Sequence, residues 1–528
     1  MKRIVKKYWF VITTCVLLYI FSNLLFIGSN YWLFILINKI IDNNEKLEDN
    51  WKLILINLSI TLSSLLLTFI SELIHEKMGK KLRLQLKRMV SLKINSLTDY
   101  EYEQNKKGEY ISWYKNESEA VYQALKAKMI MIWADLSMCF ISIVLINIYV
   151  SYIITLVTIF SAIFIILIPM MLGNLTSRRE QQLVKQQGVY TQSIENLISG
   201  YANFAFNNKK NIFKSLITNF TNKMENYRLR TSNLCFFVEL ITDLLQVILQ
   251  QSVVIVTVFL YYYGFTSAGS LFICSTFSAY FLQGLSSTLG NLSLAIKGKK
   301  IVKKYLPVAE EEIYEPNLIE FNKLSINNLE YKINDKEVFK NLNLEIDVNK
   351  KYLLVGESGR GKTTLFRIIF GILDNYNGVI KLNNDLDYKE INKKDLKEIY
   401  TYIPQKPIVF KTSIRNNISL WNKNISDKKI IETLEKVNLK SLIEINSLDT
   451  IINPDFKNLS GGEIQRLAIA RALVDDKQVM ILDEITASLD KKNRDKIEEL
   501  ITSLDKTILF ISHTADHENN NFDQVIKL

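Results

Sequence analysis

Six apolar runs of membrane-spanning length dominate the first 300 residues, approximately 8–40, 52–74, 129–148, 151–173, 235–262 and 268–290. A hydrocarbon core about 30 Å thick needs roughly 20 apolar residues in a helix. Lipid offers backbone N–H and C=O groups no partner, so a lipid-spanning segment must be a helix or part of a closed barrel. Runs of this length predict six membrane-spanning helices. The third and fourth are nearly continuous, and Tyr149 to Tyr152 is the break that predicts a tight turn at a membrane face.

Orientation follows from the basic residues, which favour the cytoplasmic side. Lys2, Arg3, Lys6 and Lys7 precede the first run. Lys77, Lys80, Lys81, Arg83, Lys87 and Arg88 open the second connection, and Arg178, Arg179, Lys185, Lys209 and Lys210 lie in the fourth. The first connection is acidic (Asp42, Glu45, Glu48 and Asp49 against Lys46), and the other two outer ones are short. The pattern predicts a cytoplasmic N-terminus and two long cytoplasmic connections. Residues 76–98 and 178–233 contain almost no Gly or Pro, so the helices should project well beyond the bilayer. Much of the net charge of +11 flanks the apolar runs, which argues against a nucleic-acid partner. Cys15, Cys139, Cys235 and Cys274 have no metal-ligand spacing and read as apolar packing. Of the acids near the membrane, Glu239 and Asp243 read as interfacial. Asp135 lies deeper and should face the bundle or a water-filled cavity.

Beyond a charged stretch at 299–316, short apolar strands alternate with helical segments, which is an α/β pattern. The strand-like Lys351–Val355 runs into Gly356, Glu357, Ser358, Gly359, Arg360, Gly361, Lys362, Thr363 and Thr364, which open a helix. This is a phosphate loop in its required context, with Lys362 for the β- and γ-phosphates and Thr363 for Mg²⁺. Val479–Leu482 delivers Asp483 and Glu484 at a strand tip. Asp483 can hold Mg²⁺, and Glu484 can polarise an attacking water. The run Leu459, Ser460, Gly461, Gly462, Glu463 then opens a further helix, a second phosphate-facing nest.

With that run the chain resembles the ATP-binding-cassette family, whose signature element this is. The resemblance covers nearly the whole chain, specifically from about 318 onward and architecturally before it. It implies an exporter-type half-transporter, with an all-α six-helix transmembrane domain at 1–300, a linker at 301–317 and an α/β P-loop ATPase domain at 318–528. It implies that Tyr331 stacks on adenine, that Gln405 senses Mg²⁺ and that His513 contacts the γ-phosphate. It further implies that Ser460, Gly461 and Gly462 meet ATP held by the phosphate loop of a second copy, with the loop Ser488-Leu489-Asp490 crossing the interface. Short coupling helices fall near 108–121 and 195–208. The chain departs from the family at Glu463, where Gln is commoner, and at 451–458, which lacks the usual glycine-rich acidic pattern.

The expectation is therefore an ATPase with ATP and Mg²⁺ as cofactors, embedded as a dimer in the lipid bilayer of a bacterial cytoplasmic membrane. It would drive export of a peptide, antibiotic, lipid or drug-like molecule. Since every half-site residue is intact, a homodimer is simpler than a heterodimer. Uptake of a peptide or siderophore is the alternative, and a non-transport regulatory cassette protein is the less favoured one.

Overall fold

A computed structural model describes residues 2–97, 101–102, 107–305, 316–333, 336–356, 359–444, 447–452, 459–486, 491–512 and 522–528. The chain divides into two compact units, with the principal change from one to the other between Ala309 and Glu310.

The first unit is helical. Its long helices are α1 (Lys2–Ile41), α2 (Trp51–Asn95), α3 (Gly108–Tyr149), α4 (Tyr152–Ser199), α6 (Lys210–Tyr262) and α7 (Ala268–Tyr305), with the short α5 (Tyr201–Phe206) between α4 and α6. All six long helices are apolar enough to cross a membrane. The break between Tyr149 and Tyr152 separates α3 from α4, where the Ser151 side chain accepts from the Ile153 N–H and caps α4. At 1.5 Å per residue the 48 residues of α4 span roughly 72 Å and the 53 of α6 roughly 80 Å, more than twice a bilayer core. The helices therefore do project beyond the membrane.

Small and polar side chains hold these helices together, as expected where lipid removes most of the hydrophobic drive between them. Between α1 and α2, the Ser22 hydroxyl donates to the Ser64 carbonyl at 2.8 Å and the Asn57 amide to the Ser29 carbonyl at 2.7 Å. Between α3 and α7, a Cβ on Gly284 would lie 2.8 Å from Cys139 Sγ, so only glycine permits this approach. On the same seam Asn291 donates to the Asp135 carboxylate at 2.8 Å. Asp135 thus faces a neighbouring helix of the bundle. Glu239 and Asp243 are exposed. The acidic first connection has a structural use as well. Asp42 accepts from the Ala268 N–H and Asn38 from the Gly269 N–H, at 3.3 and 2.6 Å, and together they cap the start of α7. Helix α3 contains two π-helical turns, Trp113–Glu117 and Ala127–Met131.

The second unit carries two larger sheets and a small antiparallel pair, β7 (Thr412–Ser413) with β8 (Ile451–Ile452). An antiparallel sheet, ordered β2-β1-β4-β5, comprises β1 (Lys323–Ile333), β2 (Lys336–Asp347), β4 (Asn377–Leu382) and β5 (Leu386–Asp387). A parallel sheet, ordered β11-β3-β10-β9-β6, comprises β3 (Lys351–Val355), β6 (Tyr400–Ile403), β9 (Val479–Asp483), β10 (Thr507–Ser512) and β11 (Gln524–Lys527). Every residue of β9 and β10 is buried, which explains their unbroken apolar runs. Two cores flank this sheet. One gathers Phe321, Ile346, Leu365, Ile369 and Leu382, and the other Ile418, Leu434, Leu467, Ile469 and Ile497. Parallel strands place their C-terminal tips on one edge, the edge where such sheets bind ligands. Val355, Ile403, Asp483 and Ser512 end there.

Candidate nucleotide site

The phosphate loop leaves β3 at Val355 and enters helix α8 (Lys362–Ile369). Gly359 and Gly361 take φ of +86° and +93°, left-handed values that L side chains avoid. At Gly361 the space is closed too, since a Cβ there would lie 2.5 Å from Val338 and 2.8 Å from Phe339. Lys362, the first helical residue, is buried, and its ammonium donates to the Gly356 carbonyl across the loop. Thr363 is exposed in the first turn and Thr364 half-buried beside it, while Arg360 is exposed. Glu357 and Ser358 lie outside the described residues.

Tyr331 lies on β1, half-buried against the core, and pairs across the sheet with Phe339 on β2. Phe339 in turn abuts Gly361, so the sheet brings Tyr331 towards the loop.

The acidic pair follows β9. Asp483 is its last residue, and Glu484 turns the chain at φ +49°. A non-glycine residue in this region is strained, and such strain concentrates where function over-determines the backbone. Both carboxylates are held from β6 and the loop after it. The Tyr402 hydroxyl donates to Asp483 Oδ2 at 2.8 Å, and Gln405 Nε2 donates to Glu484 Oε2 at 2.7 Å. The parallel register, with Tyr402 opposite Ile481 and Ile403 opposite Leu482, sets up these contacts. Gln405, Asp483 and Glu484 stand out in the sequence, but Tyr402 does not, because its partner is 81 residues away and only strand register relates them.

After α9 (Lys393–Ile399), α10 (Ile414–Ser419), α11 (Asp427–Lys436) and α12 (Ser441–Glu444), Ser460 caps helix α13 (Gly461–Asp475). Its hydroxyl accepts from the Glu463 N–H, and the Glu463 carboxylate accepts from the Ser460 N–H at 2.7 Å, a capping box. Glu463, the departure from the family pattern, completes this box. Among the described residues, nothing lies within 4 Å of where a Cβ on Gly461 would be, so they leave the start of α13 open. Gly462 continues its first turn.

Further along α13, Arg471 is packed over the Phe410 ring and donates to the Ile408 and Asn417 carbonyls at 2.6 and 2.5 Å. The buried Asn417 belongs to the short helix Ile414–Ser419. It accepts from Arg471 and from the Phe410 N–H, and donates back to the Phe410 carbonyl. Burial pushes the Arg471 guanidinium below its usual range. This network ties the stretch after Gln405 to the signature helix, and no local string encodes it because its members lie up to 63 residues apart. His513, the loop Ser488-Leu489-Asp490 and residues 453–458 lie outside the described residues.

Comparison with known proteins places both units. The family model for the ABC transporter transmembrane region matches residues 12–285, just over half of the 528, and the ABC transporter model matches 339–487. The microcin-J25 export ATP-binding/permease protein of Escherichia coli is 29% identical over 66% of this chain and 62% of its own length. The lactococcin-A transport/processing ATP-binding protein of Lactococcus lactis is 32% identical over 46% of this chain. The chain spans only 35% of that protein's length. In fold, the chain matches a bacterial Atm1-family ABC exporter with ATP bound, at a TM-score of 0.84 and 16% identity, over 99% of this chain and 93% of the other. This is therefore a membrane protein whose α/β unit binds nucleotide.

Proposed function

The chain belongs to the ABC transporter family, matched by its transmembrane region, and from that premise we propose that it hydrolyses ATP to export a cargo across a bacterial cytoplasmic membrane. The observation that carries the chemistry is the pair Asp483 and Glu484, held by Tyr402 and Gln405 on the sheet edge that also carries the phosphate loop. Lys362 and the loop N–H groups bind the β- and γ-phosphates, while Tyr331 stacks on the adenine and His513 reaches the γ-phosphate. Glu484 orients the attacking water and accepts its proton.

The donors for Mg²⁺ would be the Thr363 hydroxyl, the Asp483 carboxylate and Oε1 of Gln405, whose Nε2 is turned to Glu484. All are hard oxygen donors. Mg²⁺ is usually held through one or two carboxylates together with substrate phosphates, and this set of oxygens suits that arrangement. Held there, Mg²⁺ would supply positive charge against the phosphate oxygens as negative charge develops on them.

A transmembrane domain at 1–300, a linker at 301–317 and an ATPase domain at 318–528 are the working parts. Two copies form the transporter, and Ser460, Gly461 and Gly462 of each close on ATP held by the other; the open start of α13 suits that approach. Outward transport, rather than uptake, follows the export and transport names of the relatives, and microcin and lactococcin among those names favour a peptide cargo. The test uses the full chain in lipid nanodiscs. Glu484→Gln should bind ATP and lose nearly all turnover, whereas Lys362→Ala should lose binding itself. Turnover at the normal rate in Glu484→Gln would refute the assignment.

A further inference from the structure

Asp483 is asked to present an oxygen to a divalent cation, yet a carboxylate at a strand tip can swivel about two torsions. Asp483 is largely buried, and its Oδ2 is taken by the Tyr402 hydroxyl. A phenol donating to one carboxylate oxygen restrains rotation of the group and leaves the second oxygen, Oδ1, for a cation.

The phenol is itself held. Its ring meets Phe370 edge-on, with centroids 5.8 Å apart and planes at 74°. Phe370 is the C-cap of α8, the helix that the phosphate loop opens, and it also packs on Tyr400, two residues before Tyr402 on β6. Tyr402 therefore relates three parts of one site: the helix behind the phosphates, the strand leading to Gln405, and the acid at the tip of β9. Gln405, three residues on, takes the neighbouring carboxylate of Glu484, so one strand and its following loop grip both acids in sequence order.

We infer that Tyr402 is a positioning residue for the metal: through its hydroxyl it sets the orientation of Asp483, and with it the affinity of the site for the divalent cation that accompanies ATP. This rests on the ATPase reading above, and it assigns to Tyr402 a task distinct from general support of the sheet. Residues that orient a metal ligand typically contribute 10- to 100-fold in metal affinity. A residue that merely packs affects nucleotide and metal binding together.

The test is Tyr402→Phe in the full chain in nanodiscs, which removes one oxygen and keeps the ring against Phe370. A fluorescent ATP analogue is titrated first in EDTA, and then, at fixed analogue, with Mn²⁺, whose free concentration is read by electron paramagnetic resonance. The Mn²⁺ midpoint should rise about 10-fold or more, while the analogue affinity in EDTA changes by less than about twofold. The EDTA titration also shows that the variant is folded. An unchanged Mn²⁺ midpoint would overturn the inference, as would a parallel loss of both affinities. If the unaltered chain bound no nucleotide, or bound it without any dependence on metal, the ATPase reading itself would fail and this inference with it, so the two failures are told apart by the wild-type titration.

Discussion

Gly361→Ala isolates what the phosphate loop demands of its backbone. Gly361 has φ +93°, and an added Cβ would sit 2.5 Å from Val338 Cγ1 and 2.8 and 2.9 Å from two ring carbons of Phe339. An L-residue held in the left-handed region costs about 1–2 kcal/mol. Carbon atoms prefer separations of about 3.5–4.0 Å, so the contact is well inside the repulsive wall. Forcing a methyl into such a space costs about 1–3 kcal/mol more. The sum, about 2–5 kcal/mol, falls on the loop shape that binds phosphate, and at 1.4 kcal/mol per tenfold it weakens nucleotide binding by roughly 30-fold or more. Gly359→Ala is the comparison, because Gly359 has φ +86° but, among the described residues, nothing within 4 Å of where a Cβ would go. Its cost is the conformational part alone, about 1–2 kcal/mol or roughly 5- to 30-fold. Both variants are measured by titrating a fluorescent ATP analogue onto the full chain in nanodiscs, with melting curves to verify folding. Gly361→Ala binding within about twofold of wild type, or no more weakly than Gly359→Ala, would refute the reasoning.

Asn417→Ala removes the centre of a buried network and orphans the Phe410 N–H and carbonyl. It should destabilise the nucleotide-binding unit by about 2–4 kcal/mol, read as a lowered midpoint in chemical denaturation, and an unchanged midpoint would show that the network does not hold the loop. Gly298→Leu places a side chain against Ala124 between α3 and α7, and should sharply reduce the monodisperse protein recovered in detergent. A normal yield would mean that this close approach is dispensable. Expressed alone, the chain should give a two-copy, ATPase-active complex by mass measurement in nanodiscs. An inactive single copy that gains activity only with a second gene product would overturn the homodimer.

The membrane half was legible because its signal is local: a run of about 20 apolar residues can hardly be anything but a spanning helix. Where the helices leave the lipid, that signal fades. The sequence implied that α2, α4 and α6 project, but the bounds of those projections at Asn95, Ser199 and Lys210 come from the structure. The role of Asp42 was hidden for a different reason, since its partner Ala268 is 226 residues away. In the second unit the phosphate loop, the acid pair and the signature are contiguous strings whose chemistry can be read directly. The antiparallel sheet and the Tyr402 and Arg471 contacts depend on which strands and helices become neighbours, and no local string encodes that. Glu463 shows an intermediate case: its departure from the family pattern is plain in sequence, but its reciprocal bonds with Ser460 emerge only once the helix start is built.

The central claim, outward ATP-driven movement of a peptide-like cargo, is tested most directly by what the chain puts outside the cell. Cells of the source organism carrying either the wild-type chain or Glu484→Gln are grown in parallel, and the peptides in the medium and in the cells are compared by mass spectrometry. A peptide species present in the medium only with the wild-type chain, and retained inside the cells with Glu484→Gln, is the expected result. A species that the wild-type chain instead depletes from the medium, or identical media from the two strains, would contradict the account.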